Sequence, residues 1–146
     1  MEINQLYKGG IKLEPIYLDL HIHTSSNPNN LNTKYDIDSL LDRINETASN
    51  ARYLISLTDH NSINKQAYQA LLEKTQDVLL GVELHIQNYS ECKPYHCHAY
   101  FKTDILSSID DINIILDRLY PDKEVTPNTE NVPSLETIIK AFDKYE

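Results

Sequence analysis

Ile16-Tyr17-Leu18-Asp19-Leu20-His21-Ile22-His23-Thr24 is the stretch on which the fold turns. Leu18, Leu20 and Ile22 fall at alternate positions, the period of a β-strand over 16–22. Successive side chains of a strand point to opposite faces, so His21 and His23 share one. Two imidazoles on one face clamp a cation without bending the backbone. Asp19 lies on that face one step earlier.

Working outward, three more apolar runs read as strands: Tyr53 to Leu57, Val78 to Ile86 and Tyr95 to Phe101. Helical periodicity fills the gaps. Asp36 is placed to cap a helix whose face is Ile37, Leu40, Leu41, Ile44, Ala48 and Ala51. Asn61 or Ser62 is expected to cap a second, with Ile63, Ala67, Ala70 and Leu71. Ser108-x-x-Asp111 has the form of a capping box before Ile109, Ile112, Leu116 and Leu119. Ser134 precedes a last helix through Leu135, Ile138, Ile139 and Phe142. The order β-α-β-α-β-β-α-α predicts an α/β fold, a helix-covered parallel sheet or barrel. Chemistry in such folds gathers where strands end.

Composition narrows the function. A chain of 146 residues fits one domain, taken over residues 1–146. Only Gly9, Gly10 and Gly81 are present, so neither common glycine-loop phosphate cradle can be written. Thirteen Lys and Arg face 22 Asp and Glu, a net charge of -9. No basic run is available to neutralise a nucleic-acid backbone, so such a substrate requires bound cations that reverse the local field. Cys92 and Cys97 are too few for a disulfide scaffold. No secretory leader is visible in the first residues, and Val78-Leu79-Leu80-Gly81-Val82 is far too short to span a membrane. A cytoplasmic protein without membrane contact is the expectation.

All six histidines, His21, His23, His60, His85, His96 and His98, fall at or just after predicted strand ends. A lone histidine is more often a packed or surface residue; six at one kind of position point to metal. Asp59 precedes His60, an arrangement in which a carboxylate orients a neighbouring ligand. Glu83 interrupts the apolar run Leu79-Leu80-Gly81-Val82, which is costly unless a cation or hydrogen bonds compensate. The bland alternative for Glu83 is an outward-facing residue on a one-sided strand.

Asp19-Leu20-His21-Ile22-His23-Thr24, then Thr58-Asp59-His60, then Gly81-Val82-Glu83 resemble, in order and spacing, the first three motifs of the PHP superfamily, the polymerase and histidinol phosphatase family of metal-dependent phosphoesterases. His96-Cys97-His98-Ala99-Tyr100-Phe101 is similar to its next motif, a His five residues before an aromatic. The resemblance covers roughly residues 15–102. It implies an irregular (β/α) barrel with two or three divalent cations, zinc, manganese or iron, at the strand C-terminal ends. By resemblance His21, His23, His60, Glu83 and either His96 or His98 are ligands, with Glu83 bridging two metals. Asp59, His60 and Glu83 are the residues expected to carry catalysis, Asp59 by orienting a ligand. The implied reaction is hydrolysis of a phosphomonoester or phosphodiester, small-molecule or nucleic-acid, by metal-activated water. Lys8-Gly9-Gly10 before the first strand resembles PHP domains fused ahead of ATPase modules, so a downstream ATPase-type domain or partner is a further implication.

Two departures from the family stand out. Ser25-Ser26-Asn27-Pro28-Asn29-Asn30 offers no acid or His for a third metal. After His98 there is no histidine, whereas the family completes its site with a later His or Cys and a terminal D-x-H. The chain is therefore expected to hold a partial barrel, incomplete at its C-terminal side. Two rival readings are a structural zinc module of Cys92, His96, Cys97 and His98, and a non-catalytic remnant or accessory domain that binds metal weakly and acts through partners. The zinc module needs four convergent ligands, and an extended strand throws Cys97 opposite to its neighbours.

Overall fold

A computed structural model describes residues 15–145 of the chain; the Lys8-Gly9-Gly10 turn lies outside them. The element order is β1 (Ile16–Ile22), α1 (Ile37–Ala48), β2 (Arg52–Leu57), α2 (Lys65–Leu72), β3 (Leu80–Ile86), β4 (Tyr95–Phe101), α3 (Ile105–Leu119) and α4 (Leu135–Ala141). The fold is mixed α/β, as the alternation of periods predicts.

Local chemistry explains the helix starts. Asp36 accepts Ser39 N at 2.9 Å and opens α1, and Ser134 accepts Thr137 N at 3.2 Å and opens α4. Two starts differ from the sequence expectation. The second helix is capped by Asn64, which accepts Ala67 N at 3.2 Å, rather than by Asn61 or Ser62. Asn61 is in the left-handed region at φ 52 and turns the chain instead. The third helix begins a turn earlier than the Ser108 box predicts, at Asp104, whose Oδ1 accepts Ser107 N at 3.0 Å. Ser108 sits buried within the helix, its hydroxyl 2.7 Å from Thr103 Oγ1.

β1 and β2 run parallel, Ile16 opposite Arg52 through Asp19 opposite Ile55. The register then slips and resumes at Ile22 and Leu57, where Thr58 N reaches Ile22 O at 2.7 Å. β2 meets β3 at only two parallel bridges, Ile55 with Val78 and His60 with Glu83. Between those points the Tyr68 hydroxyl of α2 fills the gap. It lies 3.0 Å from Gly81 N and 3.2 Å from Leu57 N, and donates to Leu57 O at 2.7 Å. β4 is antiparallel to β3, since residues 87–94 are too few for a crossover connection.

β3 is two-faced. Leu80, Val82, Leu84 and Ile86 are buried against Ile55, Leu57, Tyr68, Leu71, Ile109, Ile112 and Leu116. Gly81, Glu83 and His85 occupy the other side. A Cβ at Gly81 would fall on Ser56 Oγ and lie 2.9 Å from Tyr100 Cδ1. The missing side chain lets the Tyr100 ring pass, and its hydroxyl donates to Leu20 O of β1 at 2.7 Å. The strands thus curl, but no closed barrel forms among the described residues. Ile16 and Leu18 stay 53% and 61% exposed. Among the described residues, no helix is long and apolar enough to cross a membrane.

Candidate metal centre

Register builds the site. Glu83 is bridged to His60 on the β2 side and paired with His98 on the β4 side, while His85 pairs with His96. Because β4 is antiparallel, its first residues lie beside the last of β3. The end of β1 brings His21 and His23, whose Nε2 atoms are 3.1 Å apart. All six histidines and Glu83 meet at one end of the strands.

Glu83 is the centre. Its residue is 1% exposed, so the outward-facing alternative is excluded. Oε2 lies 2.6 Å from His23 Nε2, 3.1 Å from His21 Nε2 and 3.5 Å from His60 Nδ1. Oε1 lies 2.6 Å from His96 Nδ1 and 3.6 Å from His98 Nε2. Burial opposes its ionisation, but His60, His21 and His23 outweigh that and hold the carboxyl down at about 2. His60 and His98 are pushed down, first by burial and then by neighbouring histidines, and His85 is pushed down to about 4 by the same causes.

The arrangement suits a cation. A carboxylate offers about four lone-pair sites, and a neutral imidazole brings one N–H and one lone pair. Five ring nitrogens on one carboxylate leave lone pairs facing one another. His60 Nδ1 and His98 Nε2 are buried with no hydrogen-bond partner, a costly condition that a metal relieves. The ligand atoms fall into groups able to hold an ion: His23, His60 and Glu83; His21, Glu83 and His98; and His60, His85 and His96. The first two share only Glu83. His23 and His60 rings are 4.5 Å apart at centroid, and His21 and His98 4.2 Å.

Asp59 is 2% exposed and turns away from these groups. Oδ1 accepts Thr24 N at 2.7 Å and Ser25 N at 2.9 Å, and Oδ2 accepts the Thr24 hydroxyl at 2.5 Å. It ties down the chain just after His23. Burial pushes its carboxyl up, against the hydrogen bonds from Thr24 and Ser25. Asn64 Nδ2 closes the knot at Thr24 Oγ1, 2.8 Å away. Asp19 faces its own strand, its Oδ1 3.4 Å from His21 N, and joins no ligand group.

The zinc module of Cys92, His96, Cys97 and His98 has no geometric support. Cys92 is exposed, and Cys97 packs on the core with its Sγ 3.8 Å from His98 O. Neither enters a ligand group.

Sequence reasoning counts His85 among the six histidines and misses its partner, Asn61. Asn61, buried, accepts His85 N at Oδ1 (3.0 Å) and donates from Nδ2 to Lys123 O (2.8 Å) and His85 Nδ1 (3.0 Å). His85 Nε2 lies 3.0 Å from His96 Nε2. The histidine count includes His85, but nothing local signals its partner, because Asn61 reads as a cap. Comparisons with family models, with curated proteins and with solved structures each returned no match.

Proposed function

We propose that this chain carries the metal-binding half of a PHP-type phosphoesterase, hydrolysing a phosphomonoester or phosphodiester with two divalent cations. The observation that carries the reading is Glu83, whose two oxygens stand between two separate ligand groups. His23 and His60 would hold one cation, and His21 and His98 the other, with Glu83 common to both. Imidazole and carboxylate donors suit borderline cations, zinc, manganese or iron. Cations bound there would lower the pKa of a coordinated water to about 7 and would stabilise charge developing on phosphoryl oxygens.

The chain's own residues set the geometry. Glu83, ionised and buried, supplies the negative charge that neutral imidazoles lack. Asp59 fixes the backbone that follows His23, and so the place of the His21–His23 clamp. His21 and His96 side chains are 53% and 51% exposed, so the site opens to solvent and to substrate. The local positive charge of two cations offsets the acidic net charge for an anionic ester. The partial (β/α) barrel is part of this reading, as is a downstream ATPase-type domain.

A second reading, an accessory domain that binds metal and acts only with a partner, is favoured by the exposed Ile16 and Leu18 on β1. One experiment separates them. The purified chain is loaded with Zn or Mn and assayed on p-nitrophenyl phosphate and bis-p-nitrophenyl phosphate, beside His21→Ala/His23→Ala. Metal-dependent turnover abolished in the double variant supports the enzyme. Stoichiometric metal without turnover supports the accessory domain, and no bound metal overturns both.

A further inference from the structure

The buried Asn61 amide has its orientation set by two backbone groups, independently of the histidines. Oδ1 must accept the His85 N–H, and Nδ2 must donate to Lys123 O. The second hydrogen of Nδ2 is then aimed at His85 Nδ1, 3.0 Å away. Nδ1 can only accept, so the proton of a neutral His85 is on Nε2. That Nε2 faces His96 Nε2 at 3.0 Å, which must therefore accept. The proton of His96 is left on Nδ1, 2.6 Å from Glu83 Oε1. Each imidazole of this chain has one donor and one acceptor, the Asn61 amide at one end donates and the Glu83 carboxylate at the other accepts, so the order admits no reversal without opposing Asn61 to a backbone carbonyl.

We propose that Asn61 and His85 are positioning residues that fix the proton of His96, making His96 a hydrogen-bond donor to Glu83 rather than a metal ligand. The open choice between His96 and His98 is thereby settled for His98. His98 Nε2 is buried without a partner and aims at the same Oε1, and it falls in a group with His21 and Glu83 from which His96 is absent. The group of His60, His85 and His96 holds no third cation, because His85 Nδ1 is taken by the Asn61 amide and its Nε2 carries the hydrogen. Glu83 thus keeps one oxygen oriented by a neutral donor while the ligand groups form around it. Outer partners of this kind orient ligands and typically change metal affinity 10–100-fold when removed.

The assignment of His98 rests on the metal-site reading, whereas the proton positions do not. Long-range 1H–15N correlation of the histidine rings in metal-free protein at pH 8 reads them directly. His85 is expected as the Nε2–H form and His96 as the Nδ1–H form. Asn61→Asp, which can only accept, is expected to move the His85 proton to Nδ1. Zinc titration followed by elemental analysis reads the ligands. His96→Ala is expected to keep the zinc count with 10–100-fold weaker binding, restored toward wild type in His96→Gln, while His98→Gln loses one zinc per chain. His85 carrying Nδ1–H in the wild-type protein, or a zinc lost from His96→Gln, overturns the proposal. If the wild-type chain binds no zinc, the metal reading fails and the ring spectra alone decide the proton positions.

Discussion

The hydroxyl of Tyr68 lies 3.0 Å from Gly81 N and 2.7 Å from Leu57 O, so one side chain of α2 joins two strands that share no continuous ladder. The two backbone bridges at Ile55–Val78 and His60–Glu83 stand on either side of it. A buried N–H or C=O without a partner is expensive, and here a phenol supplies what a strand edge normally would. Burial pushes the phenol up to about 12, so it remains a donor across the working pH range. Tyr68→Phe should leave Gly81 N unpaired and cost about 1–3 kcal/mol in urea unfolding. An unchanged midpoint would mean that relaxation or water re-pairs these groups.

Gly81 has a separate role in the same place. An added Cβ would meet Ser56 Oγ and lie 3.0 Å from Thr58 Cγ2, both buried, and 2.9 Å from Cδ1 of the more exposed Tyr100. Gly81→Ala should destabilise by about 1–3 kcal/mol, the usual cost of overpacking. Adding Ser56→Ala removes the closest clash and should recover part of the loss. Equal destabilisation in single and double variants would place the obstruction at Tyr100 instead.

Much of this was legible in the sequence, and what was hidden has physical causes. The strand assignments and the Asp36 and Ser134 caps follow from period and local hydrogen-bonding residues. The cap at Asn64 was hidden because Asn61 and Ser62 carry the same preference three and two residues earlier. Asn61 is consumed by contacts with His85 and Lys123, which are remote in sequence. The Ser108 box matched a spacing that Asp104 and Ser107 satisfy with real geometry. His21, His23, His60 and Glu83 were identified by motif, and the structure brings them together. The choice between His96 and His98 was invisible because both point the same way along β4; only the third dimension gives His96 a neighbour in His85.

Asp59 distinguishes orientation from chemistry. Its three hydrogen bonds all come from Thr24 and Ser25. Asp59→Asn keeps Oδ1 as acceptor for both backbone N–H groups and can donate to the Thr24 hydroxyl. Metal affinity should fall no more than about tenfold in Asp59→Asn and toward 100-fold in Asp59→Ala, measured by competition with a chromogenic chelator. If Asp59 exchanged a proton in catalysis, Asn would be as damaging to turnover as Ala.

Acid should weaken the metal-free fold through its histidines. His60, His85 and His98 are all held below their ordinary value, first by burial, and His85 lies at about 4. The unfolded chain takes up these protons near pH 6.5, while the folded chain declines them. Stability is therefore full above pH 6.5 and falls as pH drops from 6.5 toward 4, because the unfolded state binds more protons there. Glu83, at about 2 against 4.5, adds a second loss as pH falls from 4.5 toward 2. Urea midpoints of chelator-treated protein at pH 7.5, 5.5 and 4.0 check the sign, with His85→Gln showing a shallower fall between the first and last. A midpoint that rises on acidification would mean that the histidine cluster gains more from charging against Glu83 than it loses by burial.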